Sequence, residues 1–73
     1  FVLNEASSVT LSVYDMRGQR VATLMQGSYG EGFYEAAWNG GGHGGKTAPD
    51  GIYLIRLTVN DKMIANEKVV LIR

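Results

Sequence analysis

Residues 40–47 read Gly-Gly-Gly-His-Gly-Gly-Lys-Thr and fit the phosphate-loop pattern G-x-x-x-x-G-K-T at every letter. A working phosphate loop would put Lys46 on the β- and γ-phosphates of a nucleotide and Thr47 on magnesium. That mechanism needs a buried parallel strand before the loop and a helix after it, whose N-terminal amides and dipole hold the phosphates. The flanks point to neither. Ala48-Pro49-Asp50-Gly51 follows the run; the proline turns Ala48 away from helical angles and the glycine weakens any helix at once. A parallel sheet also needs crossover helices, for which 73 residues leave no room. Glycine fills five of the six positions 40–45, so the pattern is met by composition. The run is expected instead to connect a strand ending at Trp38-Asn39 with one starting at Gly51. In that role Asn39 closes an Asx-turn, Gly40 turns freely, Pro49-Asp50-Gly51 makes a stiff second turn, and Lys46 is a solvated loop charge.

Outward from this loop the chain alternates with a period of two. Toward the N-terminus, Val9, Leu11 and Val13 alternate with Thr10, Ser12 and Tyr14, the pattern of a half-buried strand. Asp15-Met16-Arg17-Gly18 reads as a turn, with aspartate able to bond the backbone and glycine able to take a positive φ. Arg20–Met25 is expected to return as a strand, with a short helix over 19–26 as the alternative, because QRVATLMQ is rich in helix formers. Gly27, Gly30 and Gly32 are expected to break the chain before a strand from Phe33 to Trp38. There Tyr34, Ala36 and Trp38 share one face and Phe33, Glu35 and Ala37 the other.

Toward the C-terminus, Gly51–Val59 is the strongest strand signal, rich in β-branched and aromatic residues. Asn60-Asp61 fits a two-residue hairpin turn, and Lys62–Ile72 is expected to return as a long strand bent near Asn66. Short strands at this spacing predict an all-β antiparallel sandwich. The expected core is Val9, Leu11, Val13, Val21, Leu24, Tyr34, Ala36, Trp38, Tyr53, Ile55, Leu57, Val69 and Leu71. The expected turn residues are Asp15, Gly18, Gly32, Asn39, Gly40 and Gly51.

Composition bounds the function. The chain is one small domain, residues 1–73, with 45% apolar residues and seven charges of each sign. The balanced charge leaves no electrostatic footprint for nucleic acid or an anionic membrane, and no run is long enough to span a bilayer. With no cysteine, disulfides and thiol chemistry are excluded, so the core must be supplied by the strand residues. The chain opens on Phe1 rather than methionine and is expected to be a piece of a larger protein, its C-terminal module.

Candidate sites of chemistry are sparse. His43 is the one histidine, flanked by glycines; as a metal ligand it would have only Asp50 for company, and a passive loop residue is the simpler reading. Trp38, Tyr14, Tyr34 and Tyr53 could form a sugar-binding platform, but Trp38 lies on the alternating apolar face and is expected in the core; Tyr14 and Phe33 fall on the opposite face. The carboxylates Asp15, Glu31, Glu35, Asp50, Asp61 and Glu67 are scattered, and no serine lies in a nucleophile motif. No catalytic residue, cofactor, metal or nucleotide is expected.

The ordered set Val9-Thr-Leu-Ser-Val-Tyr-Asp15, Gly18, Val21, Leu24, Gly32, Trp38-Asn39-Gly40, Gly45, Gly51-Ile-Tyr53, Arg56-Leu57 and Lys68-Val-Val-Leu-Ile-Arg73 resembles the immunoglobulin-like domain named after the flagellar hook-capping protein. It is also similar to the C-terminal sorting domains of type IX secretion. The resemblance spans the whole chain. It implies an immunoglobulin-like antiparallel β-sandwich of about six to seven strands, without a catalytic site, in a secreted or cell-surface bacterial protein. The partners it implies are proteins: secretion machinery, neighbouring domains or copies of the same chain. The implied role is secretion sorting or surface anchoring; the alternatives are a structural or adhesive module that assembles through edge strands, and a carbohydrate-binding accessory module. Such sorting modules often begin with an Asn-Pro-rich strand before the Phe-x-Leu segment, and this chain has none there. Its long loop between Trp38 and Gly51 is closer to the hook-capping branch.

Overall fold

The computed structural model of the protein describes residues 1–42 and 47–72. Its strands are β1 (Val2–Leu3), β2 (Ser7–Tyr14), β3 (Arg20–Tyr29), β4 (Gly32–Phe33), β5 (Gly51–Val59) and β6 (Lys62–Leu71), and no described residue is helical. Four of them form an antiparallel sheet in the order β3-β2-β5-β6, and β1 and β4 form a two-stranded antiparallel ribbon. The ribbon packs on one face of the large sheet, which makes the immunoglobulin-like sandwich expected from the sequence, with a short second layer.

The hairpins follow from local chemistry. Between β2 and β3, Asp15 Oδ1 accepts hydrogen bonds from the backbone N–H of Arg17 (2.9 Å) and Gln19 (3.0 Å). The Gly18 N–H donates to the Asp15 carbonyl at 3.0 Å, and Gly18 sits at φ 85°, where a Cβ is costly. Between β5 and β6, Asn60 and Asp61 both take positive φ, 50° and 65°, as a type I′ turn demands. Asn60 Oδ1 also accepts from the Ser8 N–H at 3.0 Å, tying this turn to the start of β2.

Register sets the inner face. Val9, Leu11 and Val13 stand opposite Val59, Leu57 and Ile55 on β5. Two clusters form there: Leu3, Val9, Leu11 and Leu57 near the ribbon, and Val13, Ala22, Ala48 and Tyr53 toward the glycine loop. Leu24 and Ile55 pack against both and join them. Ser12 faces the other way and is nonetheless buried, opposite Thr23 and Arg56, with no partner for its hydroxyl among the described residues.

Several expectations are corrected. The helix weighed for 19–26 is strand, because this segment completes the β2 ladder, and β3 runs through Gly27 to Tyr29 instead of breaking at the glycine. The expected strand Phe33–Trp38 stops at Phe33; residues 35–38 have no ladder partner among the described residues. Ala36, placed in the core by alternation, is therefore exposed. Gly32 and Gly51 are the first residues of β4 and β5 rather than turn residues, with φ 155° and 156°. The irregularity in β6 falls between the Leu57↔Ala65 and Thr58↔Met63 pairs, at Ile64, and not at Asn66, which is in register with Arg56 and accepts a hydrogen bond from its Nε at 3.2 Å.

Candidate functional site

The base of the glycine loop is closed by hydrogen bonds. Asn39 Oδ1 accepts from the Gly41 N–H at 2.9 Å, the Asx-turn that the sequence predicts. The Trp38 indole N–H donates to the Gly41 carbonyl at 2.8 Å, and the Ala48 N–H to the Gly40 carbonyl at 2.8 Å. Gly41 and Thr47 form an isolated antiparallel bridge. Gly40 is buried at φ 85°, a conformation that favours glycine over any side chain. No strand precedes the loop and β5 rather than a helix follows it, so the supports a phosphate cradle needs are missing among the described residues. His43, Gly45, Lys46 and Arg73 lie outside the described residues.

The aromatic residues do not share a platform. Trp38 is half-buried and meets Tyr53 edge-on at 4.9 Å. Tyr53 is buried, and its hydroxyl donates to the Pro49 carbonyl four residues upstream, the arrangement of the tyrosine corner in immunoglobulin-like sandwiches. Tyr34 stacks on Phe1 and meets Tyr29 edge-on, both at 5.5 Å. Tyr14 lies on the outer face of the large sheet under the Arg56 guanidinium, 4.8 Å from its ring centre, and Phe33 is exposed. These rings therefore occupy both faces of the sheet.

The remaining expected core residues divide by the cover above them. Val9, Leu11, Val13, Tyr53 and Leu57 are buried, whereas Val21, Leu24, Tyr34, Trp38, Ile55, Val69 and Leu71 are half-buried. Leu3, Ala22 and Ala48 are buried too and were not foreseen, since two are small and Leu3 stands outside any alternating run.

Half-burial concentrates along an open groove between the layers. One end is a cavity of about 460 Å³ walled by Phe1, Tyr34, Glu35 and Ala36, floored by Leu11, Leu24, Ile55 and Leu57, and bounded by Ala65 and Glu67 of β6. A second cavity of about 270 Å³ shares Ala36, Ile55 and Glu67 with it and continues past Trp38 to Val69 and Leu71. The two make one groove along β6. No group of His, Asp and Glu among the described residues is arranged to hold a metal. The Asp15 carboxylate is held below the ordinary aspartate value mainly by the Gln19 N–H, and it belongs to the hairpin turn.

No helix among the described residues is long and apolar enough to cross a membrane. The family model described as the FlgD Ig-like domain matches residues 2–62. No curated protein and no solved structure shows significant similarity to the chain.

Proposed function

The chain belongs to the FlgD Ig-like domain family, and on that premise we propose that it is a non-catalytic structural module of an exported bacterial protein, joined to other protein chains or domains through its strand edges. The observation that carries this reading is the short second layer: residues 35–38 run beside a largely apolar groove with no ladder partner among the described residues. An unpaired edge of this kind is a template for an added strand. Among the described residues no group of His, Asp and Glu competes with this reading as a metal site. The test is sedimentation velocity of the parent protein with and without this domain: assembly should be lost with the domain, and unchanged assembly would sink the proposal.

Secretion sorting and surface anchoring form the second reading, favoured by the whole-chain resemblance to sorting domains. A module that is recognised by a secretion machine needs a stable surface and no active site. Fusing residues 1–73 to the C-terminus of a reporter in a bacterium with type IX secretion should send the reporter to the surface. A reporter that stays in the periplasm removes this reading.

A further inference from the structure

We propose that the outer face of the four-stranded sheet, centred on Arg56, is a docking surface for an acidic segment of a partner protein, with a carboxylate on the Arg56 guanidinium and an aliphatic side chain over Ile52 and Val70. This surface is separate from the strand edges and does not depend on them. It is the face turned away from the core of the sandwich. The ladder fixes its composition. One row across the sheet reads Arg20, Tyr14, Leu54 and Lys68, and the next reads Thr23, Ser12, Arg56 and Asn66. Every charge in these rows is positive, and no aspartate or glutamate stands in them. Glu67 of β6 turns to the opposite face and lines the groove, and Asp15, in the turn after Tyr14, is held by Arg17 and the Gln19 N–H.

Arg56 is already set for a carboxylate. Its guanidinium lies over the Tyr14 ring, 4.8 Å from the centre, and its Nε donates to Asn66 Oδ1 at 3.2 Å. Asn66 is itself held, its Nδ2 donating to the Met63 sulfur at 3.1 Å. Side chains of β2 and β6 thus orient the guanidinium, while its two Nη groups make no hydrogen bond or ion pair among the described residues. They leave the fork of N–H groups that grips a carboxylate with two hydrogen bonds. Chemistry then selects the occupant. The one aromatic ring in these rows, Tyr14, is taken up by Arg56, which makes a charged surface rather than a stacking platform for sugar. The few cations of this face, in a chain without net charge, suit a short acidic segment; nucleic acid and anionic bilayers need a larger basic patch. Leu54 and Ile52 follow Arg56 on the same face at steps of about 7 Å, the side-chain repeat of an extended strand. An extended segment along β5 would set one acid on Arg56, a second beside Lys68 and an aliphatic residue over the exposed Ile52–Val70 pair. A basic segment is opposed by the same charges.

The test follows the backbone amide shifts of the isotope-labelled chain by NMR as two end-blocked peptides are added, Ser-Glu-Ser-Glu-Ser-Leu-Ser and Ser-Gln-Ser-Gln-Ser-Leu-Ser. At low salt the glutamate peptide should move the amides of Leu54, Arg56, Asn66 and Lys68 and bind about tenfold more tightly than the glutamine peptide. Asn66→Asp sets a carboxylate of the chain itself against Arg56 and should weaken the glutamate peptide about tenfold, as should Arg56→Gln. Thermal melts establish that each variant is folded; if Arg56→Gln is not, Asn66→Asp decides, because Asn66 is exposed. Absence of shifts on this face, equal binding of the two peptides, or binding indifferent to Asn66→Asp overturns the docking surface. Two further results overturn the choice of occupant. Phosphatidylglycerol vesicles that move these amides when the peptide does not would assign the face to an anionic membrane. Shifts that grow with chain concentration alone and vanish in Glu67→Gln would assign it to a second copy. Failure here leaves the strand-edge reading intact, since that reading is tested by sedimentation of the parent protein.

Discussion

Strands β2 and β6 are both antiparallel neighbours of β5, yet they sit in opposite surroundings. On β2, Val9 and Val13 are sealed from solvent at 1% and 0% exposure, while Val69 and Leu71 on the same face of β6 are only half-buried and no residue of β6 is buried. Both strands have an apolar sequence and a long ladder to β5. What differs is the layer above: the ribbon, Trp38 and Ala48 cover β2, and only the open groove lies over the inner face of β6. Ladder hydrogen bonds place a strand in a sheet, but burial comes from whatever packs on its face.

Substitutions can break this contrast. The largest effect is expected for Trp38→Ala, roughly 3 kcal/mol by urea denaturation, the lower end for a large aromatic because the ring is half-buried. It removes the edge contact with Tyr53 and the hydrogen bond to Gly41 together. Val13→Ala should cost about 2 kcal/mol, while the half-buried Val69→Ala on β6 should cost only about 1 kcal/mol. Equal costs at Val13 and Val69 would mean that the inner face of β6 is covered in solution. Asp61→Gly should stabilise the β5–β6 hairpin by about 0.5 kcal/mol, read as a higher midpoint in the same titration, because glycine takes positive φ without strain.

The smallest effect separates the two hairpins by pH. The folded pKa of Asp15 is depressed, so its contribution is complete above the ordinary aspartate value and is lost as pH falls through the lower folded one. The melting temperatures of the native chain and Asp15→Asn should therefore differ most at about pH 6 and draw together as the pH falls below the ordinary aspartate value and through the lower folded one. A constant difference across that range would show that the carboxylate charge is not what holds the turn.

The sequence made the large sheet legible because its strands carry their own punctuation. Val9–Val13 alternates cleanly, Asp15 and Gly18 mark one turn, and Asn60-Asp61 the other. The second layer was harder to read for a physical reason. Alternation at Tyr34, Ala36 and Trp38 records which side would face a core, and says nothing of whether a neighbouring strand exists to complete the ladder. The same limit applies to the groove, which is made by residues far apart in the chain, Phe1, Ala36 and Glu67, none carrying a local signal. Ala22 and Ala48 were missed because alanine is equally at home in cores and on surfaces. The phosphate-loop pattern was the opposite case, a strong local signal without the surroundings that give it meaning.

The closed base of the glycine loop has a practical consequence. Gly41 bridges Thr47, Ala48 bonds Gly40 and the Trp38 indole bonds Gly41, so the two chain segments are joined before the span between them begins. Extra residues placed between Gly42 and Thr47 would start and end at fixed points, and each doubling of the span would cost only about 0.6 kcal/mol in closure entropy. The module is thus a small cysteine-free scaffold on which a foreign peptide could be displayed, at the end of the sandwich where Trp38 and Tyr53 pack.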